Sequence, residues 1–152
     1  MQLVTEQTIT IARSVEAAYQ YATNLENFAE WFPGVLSIES ANTLEHAQRG
    51  KEYLETVAAP FRGKRKIKIS VKDAQSNKVF VTEGEFSPLM PRMEIIFQAT
   101  GSDSCGVTWR MFSRNDSFLF KITLLYLFKS VMYKRAAIGI RRLQKKLENS
   151  VV

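Results

Sequence analysis

Glu55 is the residue whose type and position could do acid–base chemistry, and it lies in the stretch KEYLETVAA, residues 51–59. Side chains alternate across a β-strand, so this stretch has two faces. One face carries Tyr53, Glu55 and Val57. The other, equally apolar, carries Leu54, Thr56 and Ala58. If the first face points inward, Glu55 is a buried carboxyl beside Tyr53 that could give or take a proton, but the sequence leaves both orientations open.

The other reactive side chains occur without the partners that catalysis requires. His46 is the one histidine and lies in a polar turn, which indicates a surface residue rather than a metal ligand or catalytic base. Cys105 stands beside a glycine at a predicted turn, and no histidine partner is evident for a nucleophile. Glu83 and Glu85 are interpreted as solvated. The sequence therefore assigns no catalytic residue, no metal and no cofactor, and it favours a binding role over an enzymatic one.

A regular succession of elements would position these side chains. Residues 4–13 alternate as a first strand, and residues 14–34 predict two short helices with N-caps at Ser14 and Asn24. Six further strands are predicted at residues 35–42, 51–59, 62–74, 78–86, 92–100 and 105–115. Short turns rich in glycine, proline, asparagine and serine join them, which predicts an antiparallel meander. One long helix is predicted from about Phe118 to Asn149.

This order predicts an α+β fold in which a seven-stranded antiparallel sheet curves around a long C-terminal helix, with two short helices after the first strand. The stretch ITIARSVEAAYQYATNLENFAEWFPGVLSIE, the element order of the whole chain and the terminal RRLQKKLE resemble the START-like or Bet v 1-like (SRPBCC-type) superfamily. That superfamily includes polyketide cyclase/dehydrase and lipid-transport proteins. The resemblance implies a helix-grip domain over residues 1–152, with a cavity for a small hydrophobic molecule between sheet and helix.

The last two strands have well-defined apolar faces. One face carries Met93, Ile95, Phe97 and Ala99, and the next carries Val107, Trp109 and Met111. Such side chains could line a cavity or fill a core, and periodicity alone does not distinguish the two. The resemblance to cavity-forming proteins favours the lining.

The terminal helix should cover the sheet with one apolar stripe. At about 100° per residue, the stripe contains Ile122, Leu125, Met132, Tyr133, Ala136, Ile140, Leu143 and Leu147. Lys129 falls in its middle, where its ammonium either reaches solvent along the apolar surface or enters the cavity to pair with an anionic ligand or Glu55. The predicted ligand-binding residues are Tyr53, Glu55, Phe97, Trp109, Met111, Leu125, Lys129, Met132 and Tyr133.

The first half of this helix has a second apolar face, and the meander brings apolar loop tips to the same end. The predicted cavity rim is Phe61, Leu89, Met90, Leu124 and Phe128. On a protein of net charge +6, an exposed apolar rim predicts peripheral contact with an anionic membrane, a hydrophobic partner or a self-contact. In the alternative, the loops fold over Leu124 and Phe128 and hide them.

Composition and charge limit the remaining function classes. A chain of 152 residues with one cysteine and no evident signal peptide is expected to form one cytoplasmic domain. The basic strand RGKRKIKISVK has no aromatic residue for base stacking, which argues against nucleic acid. The predicted function is binding or transfer of a small hydrophobic ligand such as a lipid, polyketide or isoprenoid-like compound. The alternatives are a cyclase or dehydratase in the same cavity and an interaction module that binds protein or nucleic acid through the basic surface. The oligomeric state stays open.

Overall fold

A computed structural model describes residues 1–59 and 63–150. Its strands are β1 (Gln2–Ile11), β2 (Val35–Ser40), β3 (Glu52–Ala59), β4 (Gly63–Gln75), β5 (Val79–Gly84), β6 (Pro91–Gly101) and β7 (Ser104–Ser113). Its helices are α1 (Val15–Thr23), a 3₁₀-helix at Leu25–Glu30, α2 (Phe118–Ile122) and α3 (Leu124–Asn149). No helix in this part of the chain is long and apolar enough to cross a membrane.

The seven strands form one antiparallel sheet in the order β1-β7-β6-β5-β4-β3-β2. Strands β2 to β7 follow one another as a meander, and β1 pairs with β7 at the other edge. The predicted α+β fold, with a seven-stranded antiparallel sheet and a long C-terminal helix, is confirmed. The turns after β5 and β7 lie at the end of the sheet where α2 begins, as a meander requires.

The two short helices begin at the predicted caps. Ser14 Oγ accepts a hydrogen bond from the backbone N–H of Ala17 at 3.2 Å, and Asn24 Oδ1 accepts one from the N–H of Glu26 at 3.0 Å. These bonds satisfy N–H groups that have no partner within the helix. Just beyond, Phe28 and Phe32 stack with ring centroids 5.0 Å apart, and Phe32 also contacts Trp109. This aromatic cluster fixes the segment against the sheet.

The prediction of one continuous terminal helix is wrong at Thr123, where φ and ψ of −117° and −80° separate α2 from α3. Residues before the break therefore do not share the angular phase of those after it. The buried residues of α3 are Leu125, Phe128, Met132, Ala136, Gly139, Ile140, Leu143 and Leu147. Successive residues of this stripe are three or four positions apart and include Phe128. Lys129 therefore lies one position outside the stripe. Ile122 is exposed, contrary to the prediction.

The basic strand has the predicted orientation, and Glu83 and Cys105 do not match their predictions. Ile67, Ile69 and Val71 of β4 are buried, and the lysines between and beside them are exposed. Glu83, which was expected to be solvated, is half-buried and accepts a hydrogen bond from Arg92 Nη1 at 2.9 Å. Cys105 is buried within β7 rather than at a turn.

Candidate ligand-binding site

A cavity lies between the sheet and α3, closed on one side by the segment from the 3₁₀-helix to β2. The centres of water-sized spheres can occupy about 90 Å³ of it, and the total empty space, including solvent at its mouth, is about 730 Å³. The first of these values is the one that compares with cavity volumes, and it is below the roughly 300–1,000 Å³ typical of sites for small organic ligands. The walls are largely apolar and include Val57, Ile69, Met93, Met111 and Met132.

Glu55 places a carboxyl in this apolar wall. Its neighbours across the sheet are Ile38 on β2 and Ile67 on β4, and both are buried. Glu55 is 7% exposed, and no hydrogen bond or ion pair to its carboxyl occurs among residues 1–59 and 63–150. Burial in these surroundings disfavours the charged form and raises the pKa of Glu55 to about 7. Of the two orientations the sequence left open, the structure has the one with Glu55 inside.

Tyr53 lies on the same face of β3 but has a different role. Its hydroxyl is hydrogen-bonded to Nδ1 of His46, and the two rings are nearly parallel with centroids 5.8 Å apart. Nε2 of His46 lies 3.2 Å from Oε1 of Glu26. His46, which was predicted to be a surface residue, has a side chain that is 33% exposed, and it connects the turn before β3 to the 3₁₀-helix. Tyr53 is fully buried and does not line the cavity.

Arg135 is a second ionisable residue of the cavity wall, and it was not among the predicted site residues. Its Nη2 donates a hydrogen bond to the carbonyl oxygen of Ala58 at 3.0 Å. Burial disfavours the charged guanidinium and lowers the pKa of Arg135. The spacing of Phe128, Met132 and Arg135 by four and three residues puts all three on one helical face. That spacing was the available signal, but the predicted stripe was centred on Lys129, so Phe128 was assigned to the other face.

The nine predicted ligand-binding residues fall into three groups. Glu55, Met111 and Met132 line the cavity. Tyr53, Phe97, Trp109 and Leu125 are buried but lie outside its lining. Phe97 packs edge-on against Tyr19 and Trp109 packs against Phe32, because the helices after β1 fill that part of the core. Lys129 and Tyr133 are exposed, and the prediction that they face the sheet is wrong.

The predicted rim is folded over rather than open. Leu89 and Phe128 are buried and line the cavity, Met90 is half-buried, and Phe61 lies outside the described residues. Asn115 Nδ2 donates a hydrogen bond to the carbonyl oxygen of Pro88 at 2.8 Å, which holds the β5–β6 loop in place. Phe86 of that loop packs edge-on against Phe128. Among the predicted rim residues that the structure describes, Leu124 is the exposed one, at 37%.

The exposed apolar residues at this end belong mainly to α2 and the first turn of α3. Phe118, Leu119, Ile122 and Tyr126 are exposed by 75%, 68%, 61% and 82%. We call these four residues the α2 face. The sequence predicted a second apolar face in this half of the helix, and of the two residues named there Leu124 is exposed and Phe128 is buried.

Residues 2–148 match the family described as polyketide cyclase / dehydrase and lipid transport. The chain belongs to this family. The predicted resemblance to START-like proteins is thereby confirmed, and it covers nearly the whole sequence. None of the curated proteins matches the chain.

Solved structures with the same fold are similar to this chain at low sequence identity. The Zhui aromatase/cyclase from a Streptomyces species is 14% identical, with a TM-score of 0.71 over 95% of this chain and 92% of that one. A START superfamily protein from Mycobacterium smegmatis is 13% identical, with a TM-score of 0.66 over 95% and 96% of the two chains.

The aromatase/cyclase StfQ of the steffimycin pathway has two domains, and the chain spans about half of its length. The identity is 14% and the TM-score 0.69, over 97% of this chain and 51% of that one. At such identities the likeness concerns the fold, and the function depends on the residues of the site itself.

Proposed function

We propose that residues 1–152 form a single domain that binds or transfers a small hydrophobic molecule in the cavity between the sheet and α3. The observation that carries this proposal is an apolar cavity whose wall contains a buried carboxyl with no partner among the described residues. Removing apolar surface of the ligand from water supplies affinity, at roughly 25 cal/mol per Å². Glu55 supplies one polar contact, to a hydroxyl or carbonyl of the ligand.

The size of the cavity favours a compact ligand. By the same measure that gives about 90 Å³, one water molecule needs roughly 10–15 Å³, so the space corresponds to roughly six to nine waters. A molecule of one or two rings, or a short isoprenoid-like chain, fits this space better than a lipid with two long chains. The cytoplasmic location expected from the sequence stays part of the proposal.

Titration of a neutral two-ring compound, naphthylmethanol, tests the proposal with a matched pair of variants. Met132 lines the cavity, whereas the adjacent Tyr133 is 60% exposed. We expect Met132→Trp to fill the cavity and weaken binding at least about ten-fold, and Tyr133→Trp to bind like the wild type. Should Met132→Trp fail to fold, Val57→Phe fills the same cavity from β3. Equal binding by the cavity and surface variants would refute the proposal.

An enzymatic role is the second candidate, and Glu55 is the observation that favours it. A carboxyl whose pKa is about 7 can both accept and donate a proton near neutral pH, as dehydration of a β-hydroxy ketone requires. Loss of an α-proton to the carboxylate and departure of the hydroxyl as water would give a conjugated enone. Ultraviolet absorbance would follow the enone, and equal rates for wild type and Glu55→Gln would exclude this role for Glu55.

Peripheral contact with an anionic membrane is proposed at the α2 face. Residues 118–147 contain eight lysines and arginines and no acidic residue. Exposed aromatic and aliphatic side chains on a basic helical segment are typical of proteins that lie on anionic lipid. The face lies at the end of the fold where the β5–β6 loop covers Phe128 of the cavity wall. Docking there would bring the cavity close to a membrane that supplies or receives the ligand.

A further inference from the structure

Arg135 is a positively charged residue in the cavity wall without an acidic partner. The guanidinium has five N–H donors, and the structure shows one hydrogen bond, to the carbonyl oxygen of Ala58. No aspartate or glutamate in residues 1–59 and 63–150 lies within ion-pair distance of it. The sequence of residues 60–62, Pro-Phe-Arg, contains no acid either. Its half-buried charge therefore lacks compensation from the described protein.

The backbone around Gly34 and Ala58 determines the position of this guanidinium. Gly34 has a φ of +87°, and a Cβ at that position would lie 2.4 Å from Nη1 of Arg135. The absence of a side chain at Gly34 thus leaves the space that the guanidinium occupies. The Ala58 carbonyl fixes its orientation from the other side. An arginine held in one orientation loses little conformational entropy when it binds a carboxylate, which favours a specific contact.

Glu55 does not serve as the missing partner, although it lines the same cavity. No ion pair joins the two side chains, and burial alone accounts for the altered pKa of each. If they were paired, attraction would lower the pKa of Glu55 and raise that of Arg135, which is the opposite of both shifts. The cavity therefore holds two ionisable groups of opposite sign, each available to a ligand.

We propose that the natural ligand is a small amphiphilic acid, whose carboxylate binds Arg135 while its apolar body occupies the cavity. This inference rests on the proposed binding function and adds the chemical class of the ligand. Arginine matches a carboxylate with two parallel N–H···O bonds, which are stronger and more directional than neutral hydrogen bonds. Glu55 need not repel the acid, because its raised pKa lets it keep a proton near neutral pH.

Two ligands of similar shape test the inference: naphthoic acid, which carries a carboxylate, and naphthylmethanol, which is neutral. Both are titrated against wild type, Arg135→Met and Lys129→Met. Methionine keeps the length of the side chain without its charge, and Lys129 is an exposed cation on the same helix that serves as the control. We expect Arg135→Met to weaken the binding of naphthoic acid by about 10- to 100-fold and to leave the binding of naphthylmethanol unchanged. Lys129→Met should affect neither.

The outcomes separate this inference from the function on which it rests. If wild type binds neither compound, the proposed binding function fails. If Arg135→Met binds both compounds as well as the wild type does, the cavity binds hydrophobic molecules but the acid anchor is wrong. Arg135→Lys gives a second arm if the methionine variant does not fold. Lysine keeps the positive charge but lacks the planar guanidinium, so the affinity for naphthoic acid should fall several-fold and the affinity for naphthylmethanol should not change. Unchanged affinity for naphthoic acid would overturn the inference.

Discussion

Glu55 illustrates how one buried side chain couples ligand binding to the stability of the protein. Its carboxyl is surrounded by apolar side chains of β2 and β4, and the described residues offer it no hydrogen bond. Ionising it in this environment costs free energy that ionisation in the unfolded chain does not. A polar group kept in such a place without a protein partner is typical of a site that functions when a ligand supplies the partner.

The stability of the empty protein should therefore depend on the protonation of Glu55. Its pKa is about 7 in the folded state against an ordinary value of 4.5, so the folded state holds the proton more tightly. Between these two values the free energy of unfolding should fall as the pH rises, by up to about 3 kcal/mol, and this contribution should level off above pH 7.

Urea unfolding of wild type and Glu55→Gln at a series of pH values measures this effect. The difference between the two proteins should grow in favour of Glu55→Gln as the pH rises from 4.5 to 7. Glu85→Gln, at an exposed glutamate, is the control and should follow the wild type. A constant difference between wild type and Glu55→Gln over this range would show that Glu55 is not buried as described.

At the scale of elements, the three- and four-residue steps within α3 determine which residues meet the cavity. They put Phe128 and Arg135 in the wall and leave Lys129 and Tyr133 exposed to solvent. The sequence predicted the extent of the helical region, the caps and the two-faced character of its first half. It did not predict the break, because residues 118–133 contain no proline or glycine that would mark one. The stripe predicted for α3 is nevertheless buried at Leu125, Met132, Ala136, Ile140, Leu143 and Leu147, whereas Lys129 and Tyr133 are exposed.

The α2 face gives this element a testable role in membrane contact. We expect the wild type to bind vesicles containing an anionic phospholipid more strongly than neutral vesicles, with affinity falling as salt screens the attraction. The double variant Leu119→Ser and Ile122→Ser should bind about ten-fold or more weakly, because both side chains are exposed and would enter the lipid. Its melting temperature should change little for the same reason.

Leu36→Ser on β2 provides the control for vesicle binding, since Leu36 is a 48% exposed leucine in another element. It should bind vesicles like the wild type. If the control and the α2 double variant lose binding equally, or if neither loses any, the α2 face is not the membrane contact.

At the scale of the whole molecule, the order of elements was predictable and the packing of side chains was not. Alternation in the strands, the caps at Ser14 and Asn24 and the short turns were enough to predict the meander and its terminal helix. Whether an apolar residue lines a cavity or fills a core depends on what packs over it. Trp109 and Met111 share one face of β7, yet Phe32 covers the first while the second borders the cavity. No local pattern encodes that difference.

The central claim, that a hydrophobic ligand occupies this cavity, is tested most directly by nuclear magnetic resonance of methionine methyl groups. Of the five methionines, Met93, Met111 and Met132 line the cavity, and Met1 and Met90 do not. Single Met→Leu variants would assign the five signals.

Naphthylmethanol is added to protein labelled with carbon-13 at these methyl groups. We predict that the Met93, Met111 and Met132 signals shift together and saturate, because the ligand ring lies against them, while the Met1 and Met90 signals stay in place. The account is contradicted if the three cavity signals do not move at saturating ligand, or if only Met1 and Met90 respond.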